Sequence, residues 1–339
     1  MEAFTQLLKN LPDDTGMAFV LIQHLDPDHD SSLVEILRRA TSLPVTEVSK
    51  EQAVKPDHIY VISPNTSLIL EKGCLQIKAR LKSANPHKPV DIFFESLAAE
   101  QRDRAIGVVL SGTASDGTQG LEAIKAEAGI TFAQDGSAKY DSMPRSAVNS
   151  GCVDKVLSPG DIAKELALIG SHPYIRGEAP QLEESSDDDT AQQQADKSSV
   201  SAHSDAPLPP GHKGETRKDP RSSKATKNRK KSKTPGNKTE KSDDEKTTQD
   251  YYKKILLLLR HHTGTDFSLY KSNTIQRRIN RRVVLSKQGS LHDYIGFLRG
   301  NQAELDALYT DVLISVTSFF RNPDVFETLK KDVFPKLLK

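Results

Sequence analysis

Residues 106–120 (IGVVLSGTASDGTQG) constrain the fold of the first half of the chain more than any other stretch. They begin with a short β-branched apolar run, which is typical of a strand buried on both faces of a parallel sheet. A loop of small residues follows, and Asp116 stands where a helix would begin, ahead of the apolar positions Leu121 and Ile124. A buried strand, a tight loop and a helix in succession predict an α/β unit.

Strand and helix patterns alternate in this way over roughly the first 170 residues. A second buried-strand pattern, residues 17–23 (MAFVLIQ), ends on His24. Further strands are predicted at 58–62, 67–70, 74–77 and 130–133. Helices are predicted at 31–40, 90–99, 121–128 and 162–169, and also near the start of the sequence, where apolar residues from Phe4 to Leu11 recur at helical spacing. Residues 71–73 between two short strands indicate a hairpin. The predicted fold class is α/β, a doubly wound and mainly parallel sheet with a small β-hairpin insert.

His24 and Asp116 are the candidate catalytic residues of this domain. Each directly follows a predicted strand, and the carboxyl ends of parallel strands are where ligands and catalysis collect. A His and an Asp so placed could be the base and the orienting acid of a hydrolytic triad. The residues alone leave other interpretations open: Asp116 as a helix N-cap, and His24 as a surface or capping histidine.

The amino-acid composition argues against several classes of partner, binding site and cellular location. The chain has 47 basic and 46 acidic residues, so no nucleic-acid partner is expected. Its two cysteines, Cys74 and Cys152, cannot form a disulfide framework and have no metal-ligand spacing, so we expect a reducing cytoplasm and no metal. The longest apolar run, 255–259, is far too short to span a bilayer, and no secretory signal precedes the first domain. We therefore expect a cytoplasmic protein without membrane insertion.

Residues 177–250 are predicted to be a disordered, charged linker. Pro, Ser, Asp, Gln and Lys dominate, so the segment cannot bury enough apolar surface to offset chain entropy. An acidic block at 183–189 precedes a basic block at 217–233. Such blocks are typical of solvated tethers; binding of nucleic acid or an acidic surface is the alternative for the basic block.

Residues 251–339 are predicted to form a small all-α domain, with helices at 251–262, 274–286, 291–299 and 303–314. Arg277, Arg278 and Arg281 fall on one side of the second helix, because positions three and four apart are neighbours on a helix surface. The stripe is either a solvated charged face or a binding surface.

Several segments of the first domain resemble the chemotaxis protein-glutamate methylesterases of the CheB family. They are LIQHLDPDH (21–29), LSGTASDGTQG (110–120) and MPRSA (143–147), with 56–70 and 89–98 in support. The resemblance implies hydrolysis of glutamyl methyl esters on chemoreceptor-like proteins, without a cofactor. His24 would then be general base and later general acid, and Asp116 would hold its tautomer.

The family carries its nucleophile on a G-x-S-x-G-G elbow after the first strand, and no counterpart is found here. The chain starts Met1-Glu2-Ala3-Phe4, which resembles the helix after that elbow, and Ser31, Ser32, Ser63 and Ser111 lack the elbow context. Either the start is assigned too late or the elbow is lost. As written, the chain is expected to be inactive, and a catalytically dead receptor-binding module is the alternative function. A generic serine hydrolase lacks the same elbow.

Residues 274–282 (TIQRRINRR) and 314–329 (ISVTSFFRNPDVFETL) resemble the CheR-family receptor methyltransferases. The resemblance implies S-adenosyl-L-methionine as cofactor and assigns Ser315, Thr317 and Arg321 to it, although relatives often have Asn at position 315. The glycine-rich loop and ribose-binding acid of the donor domain are not found, so the site is incomplete. The resemblance also favours the arginine stripe as a dock for acidic receptor helices. The expected domains are 1–176, 177–250 and 251–339.

Overall fold

The computed structural model of the chain describes residues 1–23, 33–64, 66–79, 88–176, 239–268, 270–313 and 331. Two compact units divide the chain, residues 1–181 with 246–339, and residues 182–245. The first unit contains both an α/β part and a helical part, and everything below concerns it.

The first parallel sheet has the strand order β1-β4-β2. Its elements are α1 (Glu2–Lys9), β1 (Ala18–Leu21), α2 (Leu33–Arg38), β2 (Val45–Val48) and β4 (His58–Ile62). β4 is the central strand, with Ala18 opposite His58 on one side and Val45 opposite Ile59 on the other. Four of its five residues are buried, as expected of a strand covered on both faces.

An antiparallel hairpin sheet follows in the chain, with the order β3-β6-β5. It is formed by β3 (Gln52–Ala53), β5 (Thr66–Glu71) and β6 (Cys74–Ala79). Lys72 and Gly73 connect β5 to β6, and both have positive φ, 53° and 72°. Two successive residues with positive φ match the right-handed twist of the flanking strands, which makes this a tight hairpin turn.

A second parallel sheet has the order β7-β8-β9. Its strands are β7 (Ile106–Val109), β8 (Ile130–Gln134) and β9 (Lys155–Leu157), and the associated helices are α3 (Pro89–Gln101), α4 (Thr118–Ala126), α5 (Ser142–Asn149) and α6 (Pro159–Gly170). β8 is buried along its whole length. Ser158 caps α6, because its side chain accepts the Asp161 N–H.

A short helix, α7 (Pro173–Arg176), follows α6 and ends the α/β part. The helical part comprises α8 (Thr239–Thr263), α9 (Ser272–Leu285), α10 (Leu291–Arg299) and α11 (Gln302–Val312). Ile255, Leu259, Ile279, Tyr294 and Leu308 are fully buried in its core. Among the described residues, no helix is both long and apolar enough to cross a bilayer.

The predicted fold class is confirmed: parallel strands with covering helices, a hairpin insert and a helical region. Five elements were not predicted, β2, β3, β9, α5 and α7, because each is short and lacks a clear apolar period. The described parallel strands form two separate three-stranded sheets. Residues 177–238 of the predicted linker lie outside the described residues. The helix that was predicted to begin at 251 begins at Thr239, so residues 239–250 of the predicted linker are helical.

Candidate functional site

Asp116 lies in the loop after β7, just before α4, and its side chain is buried at 4% exposure. Its two carboxylate oxygens accept backbone N–H groups of the first turn of α3: Oδ2 from Val90 at 3.0 Å and Oδ1 from Asp91 at 2.9 Å. The first N–H groups of a helix have no partner within the helix, and an anion there is favoured by the helix dipole. Asp116 therefore caps α3, although the sequence places it before α4.

Asp91 makes the reciprocal contact, which sequence analysis missed. It lies in the first turn of α3, and its Oδ1 accepts the Gly120 N–H of α4 at 2.8 Å. Lys88 Nζ lies 3.1 Å from the other carboxylate oxygen of Asp91. The sequence signal that could have found it is an acidic residue, Asp91, two positions after Pro89. This pattern indicates the start of a helix, but it does not identify the second helix that the carboxylate caps. The two helices thus cap one another, and this fixes the position of the Asp116 carboxylate.

The loop between β7 and Asp116 is held by hydrogen bonds to the last residue of β8 and to the loop after it. The Ser111 N–H donates to Gln134 Oε1 at 2.8 Å, and Ser111 Oγ accepts the Tyr140 N–H at 2.9 Å. The Gly112 N–H donates to the Tyr140 carbonyl at 2.9 Å. Both loops follow the carboxyl ends of neighbouring parallel strands, the edge at which α/β proteins build their sites.

The MPRSA segment packs on this same loop through α5. A Cβ on Gly112 would lie 2.2 Å from Met143 Sδ, so Met143 packs directly over this glycine and would have to move if position 112 carried a side chain. Thr118 Oγ1 donates to Ser146 Oγ at 3.0 Å, and Ala147 is fully buried. Two segments that the resemblance singled out separately, 110–120 and 143–147, are therefore in contact.

The hydroxyls of the two described candidate serines are engaged with the backbone. Ser63 Oγ donates to the Val48 carbonyl at 2.5 Å, and Ser111 Oγ holds Tyr140 as above. Ser31 and Ser32 lie outside the described residues. These contacts give Ser63 and Ser111 structural roles.

His24, Ser315, Thr317 and Arg321 also lie outside the described residues, so their predicted roles stay predictions. The described chain reaches Gln23, two residues beyond the end of β1.

The arginine stripe does not form an exposed surface. Arg278 and Arg281 are 5% and 3% exposed, and both donate hydrogen bonds to the α/β part of the same unit. Arg277 Nη1 lies 3.8 Å from Glu127 Oε2. The receptor-binding role of these three residues stays a prediction, and it would require that contact to open. Arg281 binds Asp154 of the α/β part, and sequence analysis did not find this partner, because no local pattern marks it.

Cys152 has no reactive environment. Cys152 is buried, and burial raises the pKa of its thiol above the ordinary value, which disfavours the nucleophilic thiolate. Within the described ranges, no group of three or more His, Cys, Asp or Glu side chains is arranged to hold a metal ion.

An apolar cavity of about 150 Å³ lies between β1 and β7. Its walls come from both strands and from α1 and α3, including Leu7, Phe19, Phe94 and Val108. Each of these two strands has one partner among the described strands. The cavity fits apolar side chains and not a polar substrate.

Comparison with known proteins gives two family matches. The CheB methylesterase family matches residues 1–166, and the all-alpha domain of CheR methyltransferases matches residues 250–313.

The match with this chain covers a different share of each relative's length. An uncharacterized 104.1 kDa protein of Rhodobacter capsulatus is 31% identical over 307 residues, 90% of this chain and 28% of that protein. A candidate protein-glutamate methylesterase/protein-glutamine glutaminase of Leptospira interrogans is 33% identical over 168 residues, 48% of this chain and 86% of that relative. The crystal structure of the Thermotoga maritima CheB methylesterase catalytic domain matches with 26% identity and a TM-score of 0.46, covering 49% of this chain and 90% of that one.

The chain thus belongs to the CheB methylesterase family and carries a CheR-type all-alpha domain in its C-terminal part.

Proposed function

We propose that the α/β part of this protein carries the histidine and the aspartate of a site that, once supplied with a serine nucleophile, hydrolyses glutamyl methyl esters of chemoreceptor-like proteins to glutamate and methanol. The observation that carries the proposal is the family match over residues 1–166, a range that contains Asp116, which two backbone N–H groups of α3 hold in the loop after β7. The Leptospira relative's name includes the same esterase activity and a glutaminase activity. Both are acyl-transfer reactions of a glutamyl side chain, so one site can serve either.

In the proposed reaction a serine hydroxyl attacks the ester carbonyl, and methanol leaves. His24 accepts the serine proton and then gives it to the departing methanol, and water later releases the glutamate. Asp116 fixes the tautomer of His24 and stabilises its charged form. Amide N–H groups of the glycine-containing loop stabilise the oxyanion. The four candidate serines lack the elbow context, so none of them is assigned as the nucleophile.

The CheR-type part is proposed to contribute receptor recognition. The proposed contacts of Ser315, Thr317 and Arg321 with S-adenosyl-L-methionine would cover only part of that molecule. Glycines at 264, 289, 296 and 300 are isolated in the sequence and offer no glycine-rich donor loop. The helical part as described therefore does not fit the donor, and calorimetry should detect weak or no binding.

The esterase proposal is tested by a chimera that places the first strand and serine elbow of the Leptospira relative before Met1. We expect methanol release from a methylated receptor fragment, which the 339-residue chain alone should catalyse little or not at all. His24→Ala should abolish the chimera's activity, and Asp116→Asn should lower it by about 10⁴-fold, as loss of the orienting acid does in serine hydrolases.

Asp91→Asn is the matched control, because it also removes a buried carboxylate that caps the neighbouring helix. It should keep most of the activity. A folded chimera that binds receptor but releases no methanol would instead support the binding-module function. Turnover that survives His24→Ala would contradict the proposed mechanism.

A further inference from the structure

The last turn of α4 is capped by an arginine of the helical part. Arg278 Nη1 donates to the Lys125 carbonyl at 2.7 Å, and Nη2 donates to the Ala126 carbonyl. The final carbonyls of a helix have no partner within it, and they form the negative end of its dipole. A buried guanidinium at this point satisfies two carbonyls at once.

Arg281, one turn further along α9, joins the two parts through a single guanidinium. Its Nε donates to the Gly129 carbonyl at 3.0 Å, and its two terminal nitrogens bind Asp154 of the α/β part and Asp311 of α11. Its side chain is 1% exposed. Removing one partner of such a buried pair leaves an uncompensated charge, so this contact is costly to open.

Asp154 is positioned for this arginine by the α/β part itself. Its Oδ2 accepts the N–H and the hydroxyl of Thr131, both at 2.9 Å, which leaves Oδ1 for Arg281. Burial alone would raise the pKa of Asp154, but Arg281 and Lys125 outweigh that effect and hold it below the ordinary value. The carboxylate is therefore charged in the docked arrangement.

Peripheral contacts extend the interface into the turn that follows α9. Lys287 Nζ lies 2.5 Å from Glu165 of α6, and the His172 ring is 2.8 Å from the Gln288 carbonyl. Val284 is buried in the same apolar cluster as the strands of the α/β part. Polar and apolar contacts thus follow one continuous face.

We propose that the arginine face of α9 (Arg277, Arg278 and Arg281) is a docking surface for the methylesterase part, and that docking excludes acidic helices from it. Both partners need the same guanidinium groups. The exclusion rests on the proposed receptor function, whereas the docking does not. An acidic receptor helix would have to displace the end of α4 and Asp154, so receptor binding by the helical part would release the methylesterase part.

The docking is tested in the full chain with Arg278→Glu. We expect a larger radius of gyration by small-angle X-ray scattering and about tenfold faster hydrogen exchange of the amides at 124–130, because charge-assisted hydrogen bonds are lost and repulsion replaces them. Arg299→Glu, an exposed arginine of α10, makes the same charge change away from the interface. Equal scattering and exchange in Arg278→Glu and the unchanged chain would overturn the docking.

The exclusion is tested with Asp154→Asn/Glu127→Gln, which weakens docking from the methylesterase side and neither removes nor adds an arginine. The probe is a soluble Glu-rich helical peptide, and the control is Glu51→Gln/Glu71→Gln, which makes the same charge change at exposed carboxylates of the hairpin region. We expect about tenfold tighter peptide binding by the double variant, weakened by salt. A double variant that scattering shows to be separated, yet binds the peptide no better, would overturn the exclusion. Failure of the esterase proposal would show separately, in methanol release.

Discussion

At the scale of single residues, Asp116 shows how a polar side chain acquires its role. Its position before an apolar helical pattern predicted either a cap or a catalytic acid. The structure shows a cap for α3, whose N–H groups lie 26 and 25 residues away in the chain. Local spacing identifies a carboxylate at a helix start, but it cannot identify a second helix that is brought there by packing.

Gly120 gives a prediction at the same scale. A Cβ there would lie 2.4 Å from Phe94 Cβ, where α3 and α4 cross. Alanine improves helix propensity by up to about 1 kcal/mol, but we expect overpacking to dominate. Gly120→Ala should lower the free energy of unfolding by about 1–3 kcal/mol, measured by urea denaturation.

Gly136→Ala is the control for this prediction, because no atom lies within 4 Å of the added Cβ. Its effect should stay within about 0.5 kcal/mol, as at other open surface positions. If Gly120→Ala proved as stable as the unchanged chain, the close approach of α3 and α4 would be wrong.

At the scale of elements, α9 shows that a charge pattern does not identify its partner. Helical spacing correctly placed Arg278 and Arg281 on one face, but the pattern fits a solvated stripe, a receptor dock and a buried interface equally. Arg282 lies on a different side and binds Glu304 with two hydrogen bonds, 2.9 and 2.6 Å long. Tyr294 donates to the same carboxylate at 2.9 Å.

Arg282→Ala should therefore destabilise the helical part strongly. It would leave the buried Glu304 carboxylate without its counter-charge, for which about 3–5 kcal/mol is typical. The loss should appear as an earlier helical unfolding transition in circular dichroism. Arg299→Ala, exposed on α10, should change the transition little. Equal effects of both substitutions would contradict the assigned network.

At the scale of the whole molecule, ionised carboxylates hold the α/β and helical parts together. The pKa of Asp154 is lowered because Arg281 and Lys125 outweigh burial, and the pKa of Glu165 is lowered by its bonds to Lys155 and Lys287, again against burial. A lowered pKa means that the stabilisation is complete above the ordinary values of about 3.9 and 4.3. It is lost as the pH falls through the lower values of the folded state.

Acidification below about pH 4 should therefore loosen the docked parts before the helices unfold. Scattering should show an increased radius of gyration while far-ultraviolet circular dichroism is still native. In Asp154→Asn, the part of this increase in radius of gyration that is due to protonation of Asp154 should be absent. A radius that stays constant until global unfolding would contradict the electrostatic account.

The sequence by itself determined the alternation of strands and helices, the hairpin turn, and the family of the first part. These follow from apolar periodicity, turn residues and short motifs, which act over a few neighbouring residues. β4 and α10 were predicted at the residues where they are found.

Only the tertiary structure decided which helix Asp116 caps and whether the arginines of α9 are exposed. Arg278 binds a carbonyl 153 residues away, and Arg281 a carboxylate 127 residues away. Such partners are chosen by the packing of whole elements, because a guanidinium is stable either in water or among buried acceptors. The local sequence is the same in both cases, so the choice between them belongs to the fold.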